Sequence, residues 1–346
     1  MMCIVILITF YTLYKLLDKR NKLFSEGMSN QIQTDVDYEL KQIKYNSPSG
    51  VSSISQNNNS LALRQYCIKS SYNSALSGKY ISTDAVKYVL SRGCRFIDLE
   101  VFLIDDEAQV AYTDDPTFIT VKSKNYVSLN SILQSLIINS FSAPSPNPND
   151  PLFIQIRVKS KNPKVYNLIG MAVSNYLSNK LYSGKVNGDT ILSQLMGKVV
   201  LIIDTTLSPD YNKNELYPKC FSDTEKVFTK EDSCFNLSQF VNIESGTSNL
   251  RRYTYKSLLD QATTPPVLLD SEHPVTDVSL FRVVCPDDND YRNPMFIDFL
   301  KNYGVQFISM RFYVLDAELK MYEKFFYENM TSFVPLSTTI GISKTT

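Results

Sequence analysis

Ser70–Phe102 reads SSYNSALSGKYISTDAVKYVLSRGCRFIDLEVF. After a polar opening turn, its spacing predicts a helix over Ala85–Ser91 and a strand over Arg95–Ile104. Along that strand Asp98 and Glu100 alternate with apolar residues, so both point to the same face of whatever sheet contains it. Working outward, the pattern predicts a helix over Val127–Ile138, a strand over Leu152–Val158, a helix over Tyr166–Lys180 and an apolar strand over Val199–Asp204. Strands that alternate with helices form parallel sheets covered by helices. For a domain of about 270 residues this predicts a closed barrel at least as strongly as an open sheet. Ala143–Pro151, APSPNPNDP, is a loop by its prolines, and the polar region Ser208–Gln239 divides a longer first part from a shorter last part.

The chain has 346 residues, 43% of them hydrophobic, enough for a large buried core. Its 35 basic residues balance 35 acidic ones, so no global field draws it to nucleic acid. It contains one histidine, His273, set in a proline-bounded turn where a structural residue is expected. A mechanism that needs one histidine as base and another as acid cannot run on it. Six scattered cysteines form no Cys-x-x-Cys pair, which speaks against a zinc knuckle or a disulfide framework.

Met1–Leu17 is an apolar run broken only by Lys15, and Asp18, Lys19, Arg20 and Lys22 follow it. Residues 1–22 are therefore predicted to be an uncleaved single-pass membrane anchor, with the domain behind it on the cytoplasmic side because the positive charges follow the run. The competing reading is an amphipathic or buried first helix. Residues 23–62 read as a polar flexible linker, 63–336 as the folded domain and 337–346 as a tail. Within the domain, 63–205 and 241–336 form two halves around the divider at 206–240.

The opening stretch resembles the X-box of phosphatidylinositol-specific phospholipases C. There a Ser-Ser-His-Asn-Thr-Tyr-Leu turn is followed by Arg-Gly-Cys-Arg and an alternating acidic strand, matched here at Ser70, Ser71, Asn73, Leu76, Gly78, Arg92, Gly93, Cys94, Arg95, Asp98 and Glu100. Pro151–Ser160, PLFIQIRVKS, is similar to the family strand Pro-Val-Ile-Leu-Ser-Leu-Glu, and Gly197–Ile203 to its Gly-Lys-Ile-Leu strand. A looser Y-box likeness follows. Leu280–Pro286 resembles Leu-Ser-Arg-Val-Tyr-Pro with Arg282 at the arginine, Val305–Phe312 resembles a later strand, and Phe325–Leu336 the closing segment. The resemblance implies an irregular TIM-type (β/α)8 barrel with its site at the carboxyl ends of the strands.

It also implies chemistry that this chain is poorly equipped to run. Attack by the inositol 2-hydroxyl needs a base, an acid for the leaving oxygen and a cation for the phosphate. The family supplies two histidines and calcium. Tyr72 stands at the first histidine and Thr113, in QVAYTDDPT, at the second. Neither side chain takes or gives a proton readily near neutral pH. Asn73, Asp98 and Glu100 remain as oxygen ligands, but Arg157 replaces a further expected glutamate. The expectation is therefore no calcium, with an internal ion-pair network in its place. In metal-independent bacterial relatives an arginine takes calcium's role, so Arg157 alone does not exclude catalysis. A phosphate-contacting lysine expected after Gly197 and Lys198 is also missing.

The favoured reading is a membrane-held pseudoenzyme that serves as a binding or scaffold module. A pocket formed by Asn73, Asp98, Glu100, Arg157 and Arg282 would take an anionic lipid headgroup, or the barrel would hold a protein partner. The first alternative is an active phosphodiesterase using Asp114, Asp115, Asp98 and Glu100. The second is a purely structural membrane-associated component.

Overall fold

The computed structural model describes residues 30–44, 49–217, 235–263, 280–287 and 291–341. The predicted anchor over 1–22 lies outside the described residues. Among those residues no helix is long and apolar enough to cross a membrane.

The chain divides into two compact units, up to Lys44 and from Tyr45. In the first, residues 30–43 are helical, where the sequence predicts an open linker. The reason lies in spacing: Ile32, Val36, Leu40 and Ile43 fall on one face, an apolar stripe hidden in a polar composition.

The second unit is built on eight parallel strands, in the spatial order β7-β6-β5-β2-β1-β10-β9-β8. They are β1 (Tyr66–Ser71), β2 (Phe96–Ile104), β5 (Leu152–Val158), β6 (Val199–Asp204), β7 (Ile243–Ser245), β8 (Arg251–Thr254), β9 (Arg282–Cys285) and β10 (Phe307–Met310). A short antiparallel extension, β3 (Glu107–Val110) and β4 (Val127–Ser128), grows from β2, and β11 (Phe333–Pro335) runs antiparallel to β1. Between β7 and β8 the sheet is joined only by the isolated parallel bridge Ser245–Leu250 and the bond from Gly246 N to the Leu250 carbonyl, 2.8 Å. The barrel is thus nearly closed, irregular in the sense the sequence implied. Gly246 makes this turn at φ +92°, and a Cβ there would lie 2.5 Å from Thr206 Cγ2.

Helices cover the outside: α1 (Thr83–Ser91), α2 (Leu129–Ser140), α3 (Lys164–Tyr176), α4 (Tyr255–Thr263), α5 (Phe296–Tyr303), α6 (Ala317–Asn329) and α7 (Leu336–Gly341). Local chemistry sets their starts. The Ser82 side chain accepts from Asp84 N and the Ser128 side chain from Ser131 N. For α2 this cap moves the start two residues past the predicted Val127, which pairs in β4 instead. Outward residues such as Ile97, Leu99, Val101, Ile154 and Ile156 pack beneath the helices.

Inward residues fill the barrel in layers. Phe96, Phe153 and Phe281 surround Phe307 at centroid distances of 4.6, 5.4 and 5.3 Å, an aromatic floor at the amino end. Above it lie Ser70, Asp98, Gln155, Cys285 and Ser309, all fully buried. The carboxyl end carries Tyr72, Glu100, Arg157, Asp204, Arg252 and Arg311. Polarity therefore rises along each strand towards one mouth. Residues 49–62 dock on this unit: Val51 and Ile54 are buried, and Ile54 N donates to Asp150 Oδ1 at 2.9 Å.

Candidate functional site

The turn after β1 brings the first site residues to the mouth. Asn73 sits at φ 42°, a left-handed conformation that asparagine tolerates better than most residues. The turn is fastened to β2: Asn73 N donates to Asp98 Oδ2 at 3.1 Å, and Asp98 N donates to Ser74 Oγ at 3.0 Å. Register aligns Asp98 with Gln155 and Glu100 with Arg157 on β5, so the two acids face the arginine across one strand pair.

The Arg157 guanidinium gathers every retained oxygen ligand. Its Nε and Nη2 donate to the Asp98 carboxylate at 2.8 and 2.7 Å, Nη2 also donates to Asn73 Oδ1 at 2.7 Å, and Nη1 lies 2.9 Å from Glu100 Oε1. Its other face lies on the Tyr72 ring, 4.4 Å from the centroid. Arg157, Asp98 and Glu100 are each at most 1% exposed. Burial opposes the charge on Arg157, but Asp98, Tyr72 and Glu100 outweigh it and hold the guanidinium well above its ordinary pKa. A permanent cation thus occupies the centre of the ligand set. A hard divalent cation there would have to displace it, so these residues do not fit calcium as they stand.

Tyr72 is buried, and that burial raises its phenol well above the usual value despite the opposing charge of Arg157. It is a neutral stacking surface at physiological pH. Thr113 is buried too: its N–H donates to Glu100 Oε2 at 3.0 Å and its hydroxyl to the Thr120 carbonyl at 2.5 Å. The other carboxylates considered are also committed. Asp115 accepts from Thr117, Ile119 and Thr120, and these bonds hold its pKa far below the carboxylate range. Asp114 is paired with Lys122.

Arg282 is not part of this group. It is the first residue of β9, out of phase with the inward Val283 and Cys285, and its Nη1 donates to the Tyr303 carbonyl at 2.7 Å. The stretch Leu280–Pro286 is one residue longer than the six-residue pattern it resembles, and a one-residue slip exchanges the faces of a strand. Three cations that the sequence reading missed do line the mouth. Lys159 Nζ lies 3.1 Å from Glu100 Oε1 and donates to the Thr113 carbonyl at 3.0 Å; Arg252 Nε lies 2.8 Å from Asp204 Oδ2. The third, Arg311, has its Cζ 5.9 Å from the Tyr72 centroid. Alternation was the available signal, since Lys159 follows Arg157 by two residues and Arg311 continues the inward series Phe307, Ser309.

An eight-stranded parallel α/β barrel with its polar side chains gathered at the carboxyl ends of the strands is the TIM-type arrangement. Within it, residues 59–204 match the family described as phosphatidylinositol-specific phospholipase C, X domain. Two solved structures are similar over 80% of this chain: L. pealei PLC21, at 16% identity and TM-score 0.57, and S. officinalis PLC21, at 14% and 0.55. The match covers 37% of the length of each. At these identities the likeness is one of fold. A comparison with curated proteins found no match.

Proposed function

We propose that this protein is a non-catalytic phospholipase C-like barrel, held at a membrane by residues 1–22 and serving as a binding module for an anionic group there. The observation that carries the reading is the Arg157 guanidinium among Asn73, Asp98 and Glu100. It takes up the oxygens that would hold a metal and neutralises the carboxylates that would have to act as bases. Two further facts support it: Tyr72 and Thr113 stand at the proton-transfer positions, and Asp114 and Asp115 are engaged elsewhere. Each missing acid or base is worth about a hundredfold to ten-thousandfold in rate. No calcium is expected in the mouth, and no nucleic acid partner.

The test is turnover of phosphatidylinositol by the purified protein, with and without calcium, at high protein concentration. No hydrolysis above background is expected. Calcium-independent cleavage abolished by Asp98→Asn or Arg157→Ala would replace this reading with an active diesterase that uses the arginine as its cation. Anchoring is tested separately by alkaline carbonate extraction, which should leave the full chain in membranes and release a chain lacking residues 1–22.

A further inference from the structure

A cavity of about 360 Å³ opens in the helical layer outside the sheet, between α4 and the start of α5, and shares no residue with the Arg157 group. Its floor is made by Tyr255 and Phe299, whose ring centroids are 5.6 Å apart. Both are buried, and the Tyr255 hydroxyl is spent on the Ser309 carbonyl, so the floor offers ring surface rather than a hydrogen bond. Leu259 and Met295 form the lips and are 44% and 52% exposed. Each leaves apolar surface in water beside a formed hollow, and methionine adapts its shape to whatever covers it.

The charge around this apolar lining is one-sided. Asp260, Asp287 and Asp298 face Lys256, the one cation among the lining residues. Asp287 Oδ2 accepts from Lys256 N at 3.0 Å and so caps α4, but neither Asp287 nor Asp298 forms an ion pair with a described residue. Arg311 approaches only from the mouth side, where its Nη2 donates to the Asp287 carbonyl at 2.9 Å, and it does not line the cavity. Nor do the acids make a metal site: among the described residues no group of three or more His, Cys, Asp or Glu side chains is placed to hold a metal ion. Carboxylates spread around an apolar hollow suit a cation that has a body of its own.

Ring faces and carboxylates together are favourable surroundings for an ammonium group. Small-ligand cavities run from about 300 to 1,000 Å³, so this one takes a compact ligand, one ring or a short chain. We propose that the cavity between α4 and α5 binds a small organic ammonium ion, with its apolar body on the Tyr255–Phe299 floor and its charge towards Asp287 and Asp298. The site is independent of the non-catalytic reading of the mouth.

The full chain is titrated calorimetrically with phenethylammonium and with phenethyl alcohol, which has nearly the same shape and no charge. Saturable binding of the amine is expected, at least about tenfold tighter than that of the alcohol, the worth of a charge-assisted contact. Asp298→Asn should weaken the amine by a similar factor and leave the alcohol unchanged. Because Asp298 stands in the first turn of α5, where an acid also supports the helix, a second variant tests the cavity by shape. Leu259→Trp, at an exposed lip, should fill the hollow and abolish binding of both probes. Glu328→Gln, which removes an acid of α6 outside the cavity, should match the wild type. Equal affinity for amine and alcohol, no saturable binding at millimolar amine, or amine binding indifferent to both Asp298→Asn and Leu259→Trp overturns the proposal. An acetylated Leu-Lys-Leu peptide is the third probe: if it binds where the amine does not, the face is a protein-docking surface and the proposal falls.

Discussion

Replacing Arg157 with Gln isolates what the arginine does. The side chain is 1% exposed, and its removal leaves Asp98 and Glu100, at 0% and 1% exposure, with Lys159 as the remaining nearby cation. Glutamine can still donate to Asn73 or Asp98 but brings no charge. Breaking a buried ion pair from one side typically costs about 3–5 kcal/mol, because the orphaned charge stays desolvated. For a domain of this size each kcal/mol shifts Tm by roughly 2–4 °C, so a fall of roughly 6–20 °C is expected.

The loss is read by thermal unfolding at pH 7.5, followed by circular dichroism. The double variant Asp98→Asn/Arg157→Gln should cost less than the two single changes together, since each single change leaves a partner unpaired. A Tm within about 2 °C of wild type at pH 7.5, or additive single costs, would refute the claim that Arg157 is the counter-ion of this site.

Calorimetric titration with millimolar calcium should give no heat assignable to the mouth of the wild type, whereas Arg157→Glu, which restores an acid beside Asn73, Asp98 and Glu100, should bind with a one-site isotherm. Tyr72→His/Thr113→His should remain inactive on phosphatidylinositol while Arg157 stays in place, and activity in that double variant would show that the arginine suffices as the cation. Asp150 is buried, and desolvation outweighs Arg95 to raise its carboxyl from 3.8 to about 6. Its folded form therefore holds a proton longer than its unfolded form, and its contribution becomes less favourable as pH rises from about 4 to about 6. Across that interval Asp150→Asn should gain thermal stability relative to wild type, and a constant difference would contradict the assignment.

The barrel was legible where burial writes a period into the sequence. Leu152–Val158 and Val199–Asp204 are apolar because helices cover one side and the barrel interior lies on the other, and both strands fall where predicted. Asp98 and Glu100 could be placed together from alternation alone, since a strand offers only two faces. The helix over 30–43 was not legible in the same way, because four apolar positions spread over twelve residues, Ile32 to Ile43, barely alter a polar composition.

The errors at the site have a different origin. Inward and outward positions on a short strand differ by one residue, so a motif with one residue too many, Leu280–Pro286, cannot say which face Arg282 takes. Pairing is less visible still. Arg157 and Lys159 read locally as two cations at a strand end, and nothing in their own segment states that Glu100, 57 and 59 positions away, lies against both. Only closure of the sheet brings β2, β5, β6, β8 and β10 to one mouth, where their charges can be counted against each other. That count reduces Arg157 from candidate ligand to counter-ion, and it leaves Arg311, which no motif marks, as a mouth cation without an acid among the described residues.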